Sequence, residues 1–290
     1  MKGLFALSGG IILTFRFGSR KKILYSGIVD LKEKERDNFK TLWHAIGNDE
    51  LLLHYQPKID GKTGELVGME ALVRWQHPKK GLLYPSEFIP DAEKSGLIKY
   101  LDEWVLNNAC NQLKYWQKLG YTNLRLAVNL SAWQFKEEHL PDIVQNVLME
   151  TGLDASYLEL EITETAAIKN LKVTANILDK LINMGVSISI DDFGTGYSSI
   201  NYLKHFPANY LKIDQSFIAD VVVDKSTLAI VKSLIEVAHA LSLKVIAEGI
   251  ETKEQLELLQ GLDCDELQGF YISKPLPVEE AENHINLTML

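Results

Sequence analysis

Short apolar runs that close on a polar side chain alternate along this chain with longer stretches in which apolar residues recur at helical spacing. The closing residues are Gln56, Glu70, Asn129, Glu161, Asp191 with Asp192, Lys212 with Asp214, Glu248 and Gln268. The first two runs, LLLHYQPKI and ELVGMEALVRW, are joined only by DGKTG. That link is too short for a helix and predicts a hairpin, so the first strand runs against the second. Helical stretches then precede LRLAVNLSA, YLELEITE, VSISIDDF, YLKIDQSF, LKVIAEGIE and ELQGFYIS, and Gly185 stands at the stop of the helix before VSISIDDF. Eight strands in this alternation predict an α/β (β/α)8 TIM-like barrel with the first strand antiparallel. An open doubly wound sheet is the alternative, and parity within the strands favours the barrel. Ser187, Ser189 and Asp191 share one face of their run, as do Ala127 with Asn129 and Lys212 with Asp214, opposite Ile188, Ile190, Val128, Leu211 and Ile213.

The start of the chain breaks the pattern. Lys2 precedes a mostly apolar run from Gly3 to Phe15, and Arg16, Arg20, Lys21 and Lys22 follow. The run is short for a spanning helix, which needs about 20 residues, and no small-residue cleavage site precedes the basic cluster. It reads as a weak membrane anchor or as the remnant of an upstream domain. As an anchor, its basic flank places the rest at the inner face of the membrane. Residues 31–50 predict a helix with Leu31, Phe39, Leu42, Trp43 and Ile46 on one face. We divide the chain into an N-terminal segment, 1–37, and one domain, 38–290.

Composition narrows the chemistry. Of 290 residues, 46% are hydrophobic and 24% charged, as in a globular protein with a large core. The net charge of −9 argues against binding DNA or RNA duplexes, which demand a basic face. The two cysteines, Cys110 and Cys264, form no CxxC motif and read as indifferent thiols of a reducing cytoplasm. Glu70, Asn129, Glu161, Asp191, Asp192 and Glu248 offer oxygen ligands only, and no histidine pair has zinc spacing. An all-oxygen shell suits Mg²⁺ or Mn²⁺, and adjacent carboxylates such as Asp191 and Asp192 can serve two cations. Such a pair of ions suits phosphoester hydrolysis. Lys212, among anions, keeps its charge and can hold water or phosphate. Gly194 and Gly196 make the following DDFGTGYSS segment a tight turn beside these ligands. Trp104, Leu113 and Trp116, near helical spacing, read as packing rather than ligand stacking.

The motifs YQP, EALVRW, VNLS, LEITE, DDFGTGYSS, LKID, AEGIE and LQGFYISKP occur in this order from Leu53 to about Leu276. Together they resemble the EAL-domain family of bacterial phosphodiesterases, which open one phosphodiester bond of cyclic di-GMP to give linear pGpG. The resemblance implies that Glu70, Asn129, Glu161 and Asp191 hold one Mg²⁺ or Mn²⁺. It implies that Asp191, Asp192 and Glu248 surround a second ion and the attacking water. Catalytic duties fall on Glu248, as general base, on Lys212 and on Glu70. Gln56, Leu72, Arg74, Asp214, Glu251 and Gln268 match positions that contact or shape the nucleotide site, and Glu164 matches a glutamate that steadies the loop of Gly194 and Gly196. Family members often form homodimers, so a dimer is expected. The alternative is a receptor module that binds cyclic di-GMP without cutting it, against which stands the intact set of ligands, base and lysine.

Overall fold

A computed structural model of the chain describes residues 4–7, 10–17, 20–26, 41–136, 139–168, 171–194, 203–204 and 206–288. The chain falls into two compact units, residues 1–52 with 74–101 and residues 53–73 with 102–290.

In the first unit, strands β1 (Leu4–Leu7), β2 (Gly10–Phe17) and β3 (Arg20–Ser26) form an antiparallel sheet with Leu4 opposite Leu13 and Ile11 opposite Ser26. Within the apolar run read as a weak membrane anchor, residues 4–7 and 10–15 thus lie in strands. Among the described residues, no helix is long and apolar enough to cross a membrane. The helix expected over 31–50 is present at 41–47, where Leu42, Trp43 and Ile46 are buried; Leu31 and Phe39 lie outside the described residues. Trp43 meets the edge of Tyr100, and Trp75 meets that of Phe88, with ring centroids 5.4 and 5.7 Å apart.

The second unit holds most of the barrel. Its strands are β4 (Leu51–Asp60), β5 (Leu66–His77), β7 (Arg125–Leu130), β8 (Leu158–Thr163), β9 (Ser187–Phe193), β10 (Tyr210–Ile213), β11 (Lys244–Ala247) and β12 (Glu266–Leu267). A short strand, β6 (Gly81–Leu83), pairs with the far end of β5. The barrel order is β4-β12-β11-β10-β9-β8-β7-β5, and β4 closes onto β5. Every neighbouring pair from β5 round to β12 is parallel, whereas β12 meets β4 antiparallel, with Glu266 opposite Asp60. The reversed first strand expected from DGKTG is thus observed. Asp60 makes the turn by accepting hydrogen bonds from the amides of Lys62 and Thr63 at 2.9 and 2.8 Å.

Strand parity sorts the residues as the sequence implied. Leu158, Leu160, Ile162, Ile188, Ile190, Leu211 and Ile213 are buried beneath the helices. The helix Leu171–Asn183 lays Thr174, Ile177, Leu178 and Leu181 on the core, a 3.6-residue stripe. Trp116 and Leu113, on the helix Ile98–Lys118, are fully buried, and Trp104 is half-buried. Trp116 stacks edge-on to Tyr55 of β4, centroids 4.8 Å apart, and its indole N–H donates to Glu282 at 3.1 Å. Both cysteines are free and buried, and burial pushes their thiols up to about 12.

Truncating Trp116 to alanine removes the largest fully buried side chain among the described residues. Chemical denaturation of Trp116→Ala is expected to show a loss of about 3–5 kcal/mol, and a loss below about 1 kcal/mol would contradict the packing described.

Candidate active site

The inward faces of the strands are charged where a TIM barrel is ordinarily filled by branched apolar residues. Glu159 and Glu161 lie on one face of β8, two residues apart and fully buried. Lys58 of β4 donates to both, at 2.9 Å to Glu159 Oε1 and 3.4 Å to Glu161 Oε1. The other Glu161 oxygen, Oε2, accepts from Lys212 Nζ at 2.6 Å. The same ammonium reaches Glu248 Oε1 at 2.7 Å and Asp191 Oδ1 at 3.3 Å. On the other side, Glu159 accepts from Ser189 Oγ at 2.6 Å and pairs with Arg125, which also binds Glu266 and the Tyr210 hydroxyl. The interior is a ladder of alternating charge from Glu248 to Glu266.

One end of the ladder opens into a cleft of about 250 Å³. Gln56, Glu70, Leu72, Asp191, Asp192, Lys212, Asp214, Glu248 and Gln268 line it, as do Gln215, Gly249, Gly269 and Phe270, which the sequence reading passed over. Gln56 and Glu70 come from the middle of β4 and β5, not from the ends of strands as the apolar runs suggested. Asn129 and Glu161, paired in register on β7 and β8, join the site through neighbours. Asn129 Nδ2 donates to Glu70 Oε1 at 2.6 Å, and Gln268 Nε2 to Glu70 Oε2 at 2.6 Å. Gln268 also donates to Gln56 at 3.2 Å, while its own Oε1 is buried without a hydrogen-bond partner among the described residues.

Asp191 and Asp192 both line the cleft, although neighbouring strand residues normally face opposite ways. The cause is an irregularity in the β9–β10 pairing: Leu211 faces Ile190, but Ile213 faces Phe193, so Asp191 and Asp192 together span the interval of Lys212 alone. Asp192 takes a φ of 55°, which costs about 1–2 kcal/mol for a residue with a Cβ, and its amide donates to Asp191 Oδ1 at 2.9 Å. Gly194 follows at φ 98°, and its amide donates to Glu164 at 3.3 Å. Gly196 lies outside the described residues.

Two expected contacts are not among the cleft-lining groups. Arg74 belongs to the first unit, buried with its guanidinium 5.1 Å from the Tyr84 ring centroid. Glu251 is exposed, its amide held by Gln255 at 2.8 Å. Asp214 caps the helix Gln215–Ala219 through the amide of Ser216. Gly249, at φ 69°, stands directly against Gln215, where any Cβ would overlap the Gln215 Cβ.

Charge at the site is out of balance. Among the described residues, Glu161, Asp191 and Glu248 pair with the Lys212 ammonium and Glu161 with that of Lys58, so the acids there outnumber the cations paired with them. Burial pushes Glu161 well up and Glu248 up to about 8, with Asp191 and Glu70 adding to both. Burial and Asp191 raise Asp192 as well. Burial would lower both lysines, but their carboxylate neighbours outweigh it and raise them. Among the described residues, no three His, Cys, Asp or Glu side chains gather as a ready metal-ligand group; they turn to the Lys212 ammonium instead. The surplus of buried oxygen donors fits an added hard cation, which would relieve the same repulsion.

The family model described as "EAL domain" matches residues 40–275. Over 239 residues, 82% of this chain, the sequence is 47% identical to the bifunctional diguanylate cyclase/cyclic di-GMP phosphodiesterase MucR of Pseudomonas aeruginosa. It is 45% identical over 244 residues, 84% of the chain, to the cyclic di-GMP phosphodiesterase NbdA of the same organism. The matches cover 35% and 31% of those relatives, so the chain spans about a third of their length. Among solved structures, the PaMucR phosphodiesterase in complex with c-di-GMP matches with a TM-score of 0.81 at 46% identity, covering 84% of this chain and 99% of that one.

Gly249→Ala tests the close approach at the cleft wall. It is expected to destabilise the protein by about 2–4 kcal/mol, measured by denaturant titration, and an unchanged midpoint would show that the wall yields freely.

Proposed function

The chain belongs to the EAL domain family, and on that premise we propose that it is a metal-dependent cyclic di-GMP phosphodiesterase that opens one ring phosphodiester to give linear pGpG. The observation that carries the proposal is the convergence of Glu161, Asp191 and Glu248 on Lys212 at the floor of a cleft walled by Gln56, Glu70 and Gln268. Glu70, Asn129, Glu161 and Asp191 would hold one Mg²⁺ or Mn²⁺, and Asp191, Asp192 and Glu248 a second. When bound, such ions activate water and neutralise charge developing on phosphate.

The chain's own residues do the rest. Glu248 accepts the proton of the attacking water, its carboxylate lining the cleft with Oε1 2.7 Å from Lys212 Nζ. Lys212, already donating to Glu248 and Glu161, keeps that carboxylate turned inward and presents positive charge toward the water and the phosphate. Gln56 and Gln268 supply amide groups to the nucleotide, with Gln268 Oε1 as a spare acceptor for a ligand N–H. Leu72 and Asp214 shape the cleft, Glu251 stands as an outer nucleotide contact, and Glu164 holds the loop that begins at Gly194. We place the activity in residues 38–290, which include the stretch that the family model matches, 40–275, and propose a homodimer as the active species.

Purified protein with cyclic di-GMP and Mg²⁺ or Mn²⁺ is expected to yield pGpG, resolved by ion-exchange chromatography, and to stop on chelation. Glu248→Gln and Glu70→Ala are each expected to lower turnover at least 100-fold while retaining the fold. Binding of cyclic di-GMP without cleavage under either ion would contradict the proposal and leave a receptor.

A further inference from the structure

Lys58 stands outside the set of groups described above as ligands, base or nucleotide contacts, yet it is one of the largest fully buried side chains of the protein. It comes from the one reversed strand of the barrel and enters the interior between two carboxylates of a parallel strand. Glu161 is held by one ammonium on each oxygen: Lys58 at 3.4 Å from Oε1 and Lys212 at 2.6 Å from Oε2. A carboxylate held at both oxygens cannot turn about its last bond. One held by Lys212 alone can swing to present both oxygens to that lysine.

We propose that Lys58 is a positioning residue, a buried strut that fixes the orientation of the Glu161 carboxylate and thereby sets the affinity of the site for its divalent cation. The inference rests on the reading of Glu161 as a cation ligand. Two effects compete when Lys58 is removed. Loss of a nearby positive charge favours cation binding, and loss of the brace disfavours it. The first is cancelled when the nearer partner, Glu159 at 2.9 Å, is neutralised together with Lys58, because both charges of the pair then leave at once. Glu159 in turn keeps Ser189 and Arg125 when Lys58 is gone. The brace has no such replacement: Lys58 and Lys212 are the cations within bonding distance of Glu161 among the described residues. Outer groups that orient metal ligands typically govern affinity by about 10–100-fold.

The test is Lys58→Met, with Lys58→Arg as the conservative control, read by direct Mn²⁺ binding (the electron paramagnetic resonance signal of free Mn²⁺) and by turnover of cyclic di-GMP against Mn²⁺ concentration. Mn²⁺ affinity and the activating Mn²⁺ concentration are expected to worsen about tenfold or more in Lys58→Met. KM for cyclic di-GMP at saturating Mn²⁺ should stay within about twofold, and Lys58→Arg should recover most of the affinity. Should Lys58→Met fail to fold, the charge-neutral pair Lys58→Met with Glu159→Gln supplies the same reading. Mn²⁺ affinity within about twofold of wild type in a folded variant would overturn the proposal and leave the assigned function standing. Absence of Mn²⁺ binding and turnover in the wild-type protein would overturn both.

Discussion

A carboxylate inside a barrel keeps its charge only while a cation stands against it, because desolvation acts against the ionised form. In this protein Glu159, Glu161, Glu266 and the rim acids Glu70, Asp191 and Glu248 are all placed in or over the barrel interior, and Lys58, Lys212 and Arg125 alternate with them. The arrangement is sensitive to loss of any one member. Removing one partner of a buried pair strands the other, which typically costs about 3–5 kcal/mol. Replacing a whole pair by neutral groups costs less. Balance is nearly met in the depth of the barrel and fails at its open end, and that local surplus of anionic oxygen is what the chemistry of the site depends on.

The fold serves this ladder. Parallel strands bring residues of one parity to the interior in register, so that Asn129 and Glu161 stand side by side. Reversal of β4 brings Lys58 in from an opposite run of backbone, between two glutamates that would otherwise repel. The irregular β9–β10 pairing with Asp192 at φ 55° sets two successive acids on one side of the sheet. One of the four non-glycine residues at positive φ among the described residues thus falls where two carboxylates are wanted together.

Much of this was legible in the residues. The alternation of runs, the short DGKTG link and the parity of VSISIDDF sufficed for a barrel with one reversed strand, and the polar ends of the runs marked most of the cleft. Three things were hidden. Alternation alone places Asp191 and Asp192 on opposite faces, and an aspartate in the left-handed region leaves no mark in composition. Lys58, between Pro57 and Ile59, reads as an ordinary solvated lysine until the reversed strand turns it inward. Gln215, Gly249 and Phe270 reach the cleft through the segments after their strands, where local pattern carries no direction.

The central claim is that the surplus carboxylates at the open end of the barrel are a divalent-cation site floored by Lys212. Diffraction from crystals grown with Mn²⁺, recorded at the manganese absorption edge, tests it most directly. Anomalous density bounded by Glu70, Asn129, Glu161 and Asp191, with Lys212 still paired to the acids beside it, is the predicted result. Manganese found only at surface acids, with no density bounded by Glu70, Asn129, Glu161 and Asp191, would contradict the account.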